Sequence, residues 1–186
     1  LLQSALRQVL GDSIKQAGSL VEPNRLRFDF HCDHKANSDQ LYELDRIVNA
    51  HIKAAYPLET MECPMKEALE KGAIAFFEDK YGDMVRVVKY GDISVELCGG
   101  THTPNTNDID YFKIISEGSV GKGTRRITAI TGADARTYFE DQTQTLTTLS
   151  KQLECPINQV QTQIQALSKK KGQSNAVILQ AAPGTL

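Results

Sequence analysis

Leu2, Leu6, Val9 and Leu10 fall on one face at helical spacing, so the opening stretch predicts an amphipathic helix stopped by Gly11. The helix is in full stride at its first residue, with no cap and no Met ahead of it, which predicts a piece of a longer chain. From Ser19 the period changes. In "LRFDFHC", Leu26, Phe28 and Phe30 point one way and Arg27 and Asp29 the other, the alternation of a half-buried strand. Asn37-Ser38-Asp39 offers an N-cap for a helix reaching about Ala55, along which Leu41, Leu44, Ile47, Val48 and Ile52 recur at three and four; Pro57 ends it. "PLETMEC" predicts a short strand before Pro64, and "MKEALEKGA" a short helix capped by Gly72. After the turn signal Tyr81-Gly82-Asp83, "MVRVVKY" and "ISVELCG" flank Gly91-Asp92 and predict a β-hairpin. "YFKIISEG" and "RRITAITG" predict two more strands around the glycine-rich "GSVGKG". The fold class is α+β, a mainly antiparallel sheet packed with helices over residues 1–132.

Beyond Gly132, Phe139, Leu146, Leu149 and Leu153 keep helical spacing. Cys155-Pro156 interrupts, and Ile157, Val160, Ile164 and Leu167 resume it. Residues 133–171 therefore predict a helical hairpin, the start of an antiparallel coiled coil with scope for self-association. "SKKKGQSN" is a polar hinge, its lysines a solvated helix end, and "AVILQAA" within 172–186 predicts a strand of whatever follows.

Composition narrows the classes. A chain of 186 residues, 40% hydrophobic, suffices for one packed domain and an appendage. With 21 Lys+Arg against 23 Asp+Glu, no basic field covers the molecule, so a polyanion has to meet a local patch. No apolar run reaches the ~18 residues of a membrane span, and no signal peptide is visible. Cys32, Cys63, Cys98 and Cys155 lack the dense spacing of a disulfide scaffold; a reducing cytoplasm is the simplest setting.

Three stretches carry candidate chemistry. Cys98 and His102 stand four apart around Gly99-Gly100, and thiolate and imidazole are ligands zinc prefers; the glycines would let the backbone fold both onto one ion. The same pair also fits a buried Cys beside an ordinary loop His, and two ligands leave a tetrahedron incomplete. "HCDH" (His31, Cys32, Asp33, His34) resembles a ligand cluster but follows a strand directly, so neighbouring side chains diverge and a solvated loop is expected. His51, near a helix end, suits the dipole. In "GSVGKGTRR", Lys122, Arg125 and Arg126 beside glycines suit either phosphate contact or a solvated hairpin tip; the order of a P-loop is missing.

Taken together and in order, "ALRQVLG", "QAGSLVEPNRLRFDF", "GDISVELCGGTHTPNT" and "FKIISEGSVGKGTRRITAITG" resemble the editing domain of alanyl-tRNA synthetases. The resemblance covers about residues 1–132, and the helical tail matches the linker to the C-terminal domain in that family. It implies zinc held by an H-x3-H pair on the first helix together with Cys98 and His102, the second His falling immediately ahead of Leu1. It implies hydrolysis of serine or glycine misattached to tRNA(Ala), within a parent enzyme that ligates alanine to its tRNA using ATP. Gln16 matches a family position tied to editing and would hydrogen-bond substrate or water; Thr101 would sense a side-chain hydroxyl. Lys122, Arg125 and Arg126 would contact acceptor-end phosphates. Implied partners are the tRNA(Ala) acceptor end and the rest of the synthetase chain. Three alternatives stand beside this reading. One is a free-standing deacylase acting in trans, and another is the editing domain of threonyl-tRNA synthetases, whose loop reads Arg-Gly-Pro where this chain has Gly-Gly-Thr. The third is a non-catalytic tRNA-binding or oligomerisation module.

Overall fold

The computed structural model describes residues 1–74 and 82–169. The elements run α1 (Leu2–Leu10), β1 (Gln16–Glu22), β2 (Arg25–His31), α2 (Ser38–Lys53), β3 (Leu58–Pro64), α3 (Met65–Glu70), β4 (Met84–Tyr90), β5 (Ser94–Leu97), β6 (Phe112–Gly121), β7 (Thr124–Thr131) and α4 (Gly132–Gln152). The α+β class holds. The strands divide into two sheets rather than one, ordered β1-β2-β7-β6 and β3-β4-β5, with every paired neighbour antiparallel.

Alternation gives the larger sheet one apolar face. Phe28, Phe30, Phe112, Ile114, Ile127 and Ala129 pack there against Leu2, Ala5 and Leu6 of α1 and Leu44, Ile47, Val48 and Ile52 of α2. Phe30, Leu6 and Leu44 are wholly buried, each contributing about 1.5–3 kcal/mol by leaving water. Asn37 caps α2 in a reciprocal capping box with Gln40. Asn49 of α2 then donates to the Phe112 carbonyl and accepts from its N–H, and Asp45 accepts from the Ile114 N–H and from Lys113. Polar groups of α2 thus satisfy the backbone at the start of edge strand β6. The smaller sheet encloses Cys63, Ala68, Ala73, Val85, Val87 and Leu97.

Two local features differ from the sequence expectation. β1 carries Gly18 and little β-branching, so its pattern is weak; it forms because Pro23-Asn24 turns the chain back and register with β2 completes the hairpin. The glycine-rich segment is mostly strand: β6 continues to Gly121, leaving a tip of Lys122 and Gly123, where Gly123 takes the positive φ (69°) the turn needs.

The chain forms two compact units, Leu1–Arg136 and Thr137–Leu186, with α4 running across the boundary. In the second unit α4 ends at Gln152, Cys155 and Val160 are buried, and residues 160–169 are helical. The expected strand within 172–186 lies outside the described residues.

Candidate functional site

Cys98 follows β5 directly, and the register that pairs Val87 with Leu97 brings Arg86 opposite Cys98. The Cys98 N–H donates to the Arg86 carbonyl at 3.2 Å, and Arg86 Nη1 returns bonds to the carbonyls of Cys98 (2.8 Å) and Gly100 (2.9 Å). One guanidinium therefore grips both ends of Cys98-Gly99-Gly100. The Gly100 N–H points at Cys98 Sγ at 3.4 Å, a donor that suits a thiolate. Further along, the Tyr90 hydroxyl donates to the Thr103 carbonyl at 2.6 Å, and its ring lies 6.2 Å from that of His102. Thr106, wholly buried, donates to the His51 carbonyl and accepts from the Tyr56 N–H, both at 2.9 Å. The loop is thus clamped at both ends. Gly99 and Gly100 are not among the residues of positive φ, so the expected hinge is ordinary backbone held by Arg86.

Burial first, then the charge of Arg86, lowers the His102 pKa below its usual value, which keeps the ring neutral and able to ligate. The His51 pKa is lowered first by burial, and its Nε2 is buried without a hydrogen-bond partner. Cys98 and His102 supply a thiol and an imidazole, donor types that zinc takes. Among the described residues no three His, Cys, Asp or Glu side chains converge as a complete metal cage.

The other sequence-predicted residues occupy different places. Thr101 is exposed within the clamped loop. Gln16 begins β1, half-buried, with Nε2 donating to Ser19 Oγ at 3.0 Å. Lys122 sits exposed at the β6–β7 tip. Arg125 and Arg126 leave opposite faces of β7. Arg125 pairs across from Phe30, on the core side and in the same cross-strand row as Gln16, and its guanidinium meets Glu117, whose side chain is 1% exposed. Arg126 pairs across from Asp29 and binds it with two 2.7 Å hydrogen bonds. In "HCDH", His31, Asp33 and His34 are exposed as expected, while Cys32 is buried. The sequence reading missed Arg86, Tyr90 and Thr106. Arg86 was recoverable, since fixing the turn at Gly91-Asp92 dictates a register that sets it against Cys98.

Residues 85–128 match the family described as the threonyl and alanyl tRNA synthetase second additional domain. Over the whole chain the sequence is 45% identical to an alanine–tRNA ligase of Latilactobacillus sakei, covering 22% of that protein. It is 47% identical to those of Fervidobacterium nodosum (92% of this chain, 20% of that protein) and Bacillus subtilis (90% and 19%). The chain belongs to the alanyl-tRNA synthetase family. It is the editing-domain region, and it spans about a fifth of the length of the curated relatives it matches. The matched segment of this synthetase region holds β4, β5 and the Cys98–His102 loop; α1 and Gln16 precede it. No helix among the described residues is long and apolar enough to cross a membrane.

Proposed function

We propose that this region hydrolyses the ester of serine or glycine misattached to tRNA(Ala), at a zinc centre to which Cys98 and His102 give two ligands. The remaining two are the histidines that the family pattern puts immediately ahead of Leu1. The observation that carries the reading is the Cys98–His102 loop itself, held in shape by Arg86, with the Gly100 N–H donating to Cys98 Sγ. When bound, zinc supplies a Lewis acid beside the ester carbonyl and a water of lowered pKa. The need for such a site follows from size: a pocket that admits alanine admits glycine and rejects serine poorly, so errors require a second sieve.

Gln16 hydrogen-bonds substrate or water, and Thr101 meets the side-chain hydroxyl of serine. Lys122 and Arg126 present charge to acceptor-end phosphates. Arg125 joins them through the tip it braces with Glu117. The whole protein ligates alanine to its tRNA with ATP in the cytoplasm. The second unit adds a surface for self-association or for the rest of the synthetase chain, since Leu146, Ile164 and Leu167 are each more than 40% exposed.

The test uses a chain extended upstream by a dozen residues, loaded with zinc. It hydrolyses Ser-tRNA(Ala), and Cys98→Ala lowers both zinc content and rate. Full zinc with no hydrolysis rejects the editing reading, and unchanged zinc in C98A removes Cys98 as a ligand.

A further inference from the structure

A cavity of about 290 Å³ opens at the end of β2, lined by Leu10, Ser13 and Ile14 and by the whole of the "HCDH" run. Strand alternation would send these four neighbours to opposite faces. However, β2 ends at His31 and the chain bends at Asp33 and His34, so all four border one space. Two backbone bonds fix the run. The His31 N–H donates to the Lys15 carbonyl at 2.9 Å, and the Cys32 N–H to the Gly123 carbonyl at 3.0 Å. The Cys98–His102 loop does not line this cavity.

Inside the run a thiol and an imidazole meet. Cys32 Sγ lies 3.6 Å from Nδ1 of His34 and 3.9 Å from its Nε2, and it donates to the His34 carbonyl at 3.3 Å. Either ring nitrogen, whichever the tautomer leaves bare, is close enough to take the thiol proton after a small turn of the ring. His34 is exposed, which leaves room for that turn, while Cys32 is only 9% exposed. A thiol beside a base is the arrangement that activates a cysteine as a nucleophile, and the cavity gives its target a place to sit. A metal suits the run less well, because among the described residues no three donor side chains converge on one point. Apolar Leu10 and Ile14, the Ser13 hydroxyl, two imidazoles and one carboxylate line the space, with neither sign of charge dominant. The fitting reactant is therefore small, short-chained and close to neutral.

We propose that Cys32 is a thiol-modification site that exchanges with small disulfides, with His34 as its base. The Cys32 thiol gives its proton to the imidazole, and the thiolate attacks one sulfur of the disulfide. A mixed disulfide forms as the original S–S bond breaks. The departing thiolate takes the proton from the imidazolium and leaves as a thiol, so the disulfide itself is the oxidant. The retained half fills the cavity against Gly123, which turns the β6–β7 tip next to Lys122. This chemistry is independent of the editing reading.

The test incubates the intact chain with bis(2-hydroxyethyl) disulfide at neutral pH, quenches with acid and maps the adducts by peptide mass. Cys155 is the internal control: it too is 9% exposed, so exposure alone would give the two cysteines equal rates. Cys32 is expected to gain the adduct at least about tenfold faster than Cys155, and a dithiol reductant to remove it. His34→Ala and His34→Gln, at an exposed position, are each expected to slow Cys32 at least about tenfold and leave Cys155 unchanged. Equal rates at the two cysteines, or an undiminished Cys32 rate in both His34 variants, would overturn the assignment. An adduct at Cys32 that forms only in denaturant would do the same.

Discussion

Arg86 Nη1 donates to the carbonyl of Cys98 at 2.8 Å and, two residues on, to that of Gly100. A charged donor shared by two carbonyls holds the backbone from which the Cys98 thiol leaves the sheet, and under the proposed function this makes Arg86 the outer support of a zinc ligand. Arg86→Ala is expected to leave the fold intact and lower the zinc affinity of the upstream-extended chain by about 10–100-fold. Competition with a chromophoric chelator measures it; unchanged affinity would mean that the turn holds itself.

Arg125 and Arg126 are neighbours in sequence and separated by a sheet in space. Removing Arg125 leaves Glu117, 1% exposed and with Oε2 already unpartnered, as a buried carboxylate with no counter-charge. Arg125→Ala should cost about 3 kcal/mol of stability in urea melts. Arg126→Ala, whose partner Asp29 is reached by solvent, should cost clearly less. Equal losses would contradict the opposed orientation of the two side chains. In tRNA binding, Arg126→Ala should reduce the salt slope, while Arg125→Ala should act through the tip it braces.

The Asp29–Arg126 pair also predicts a pH dependence. Hydrogen bonding from Arg126 first, and then the charges of Arg126 and Arg27 against an opposing burial effect, hold the Asp29 carboxyl below the usual carboxylate range. A depressed folded-state pKa means that the unfolded chain binds the proton more tightly. The stabilisation is therefore complete above the ordinary Asp pKa and lost as pH falls through the folded value. Asp29→Asn should be less stable than the parent near neutrality, with the two urea midpoints converging as pH drops below about 4. A constant gap across that range would show that the carboxylate's charge contributes nothing.

Much of this architecture was written in periodicity. Leu41, Leu44, Ile47, Val48 and Ile52 announced α2, and the alternation around Phe28 and Phe30 announced β2, because burial on one face repeats at the element's own period. What stayed hidden depends on contacts distant in sequence. β1 has almost no pattern of its own and exists through its pairing with β2. The split into two sheets follows from strand partners, which periodicity does not name. At the site, Cys98 and His102 were legible as residue types with a spacing. Their support was not: Thr106 reaches the His51 carbonyl 55 residues away. The divergence of Arg125 and Arg126 was implicit in the strand expected of "RRITAITG" and went unread because the two were grouped with Lys122 as one basic cluster.

Glycines around the site give the last contrast. Gly91, at the β4–β5 turn, has φ of 52°, and a Cβ added there would stand 2.7 Å from Cδ1 of Tyr56. Both the left-handed backbone and the aromatic ring oppose a side chain, and Tyr56 is itself anchored, its N–H donating to Thr106 Oγ1 and its carbonyl accepting from the Thr106 N–H. At Gly99, inside the Cys98–His102 loop, φ is not positive and an added Cβ meets nothing within 4 Å. Gly91→Ala should therefore destabilise the chain by roughly 1–3 kcal/mol. Gly99→Ala should change stability by less than about 0.5 kcal/mol. Thermal melts of the two variants decide it. A Gly99→Ala loss as large as that of Gly91→Ala would mean that the loop visits left-handed backbone after all, restoring the glycine pair to the hinge that its sequence suggests.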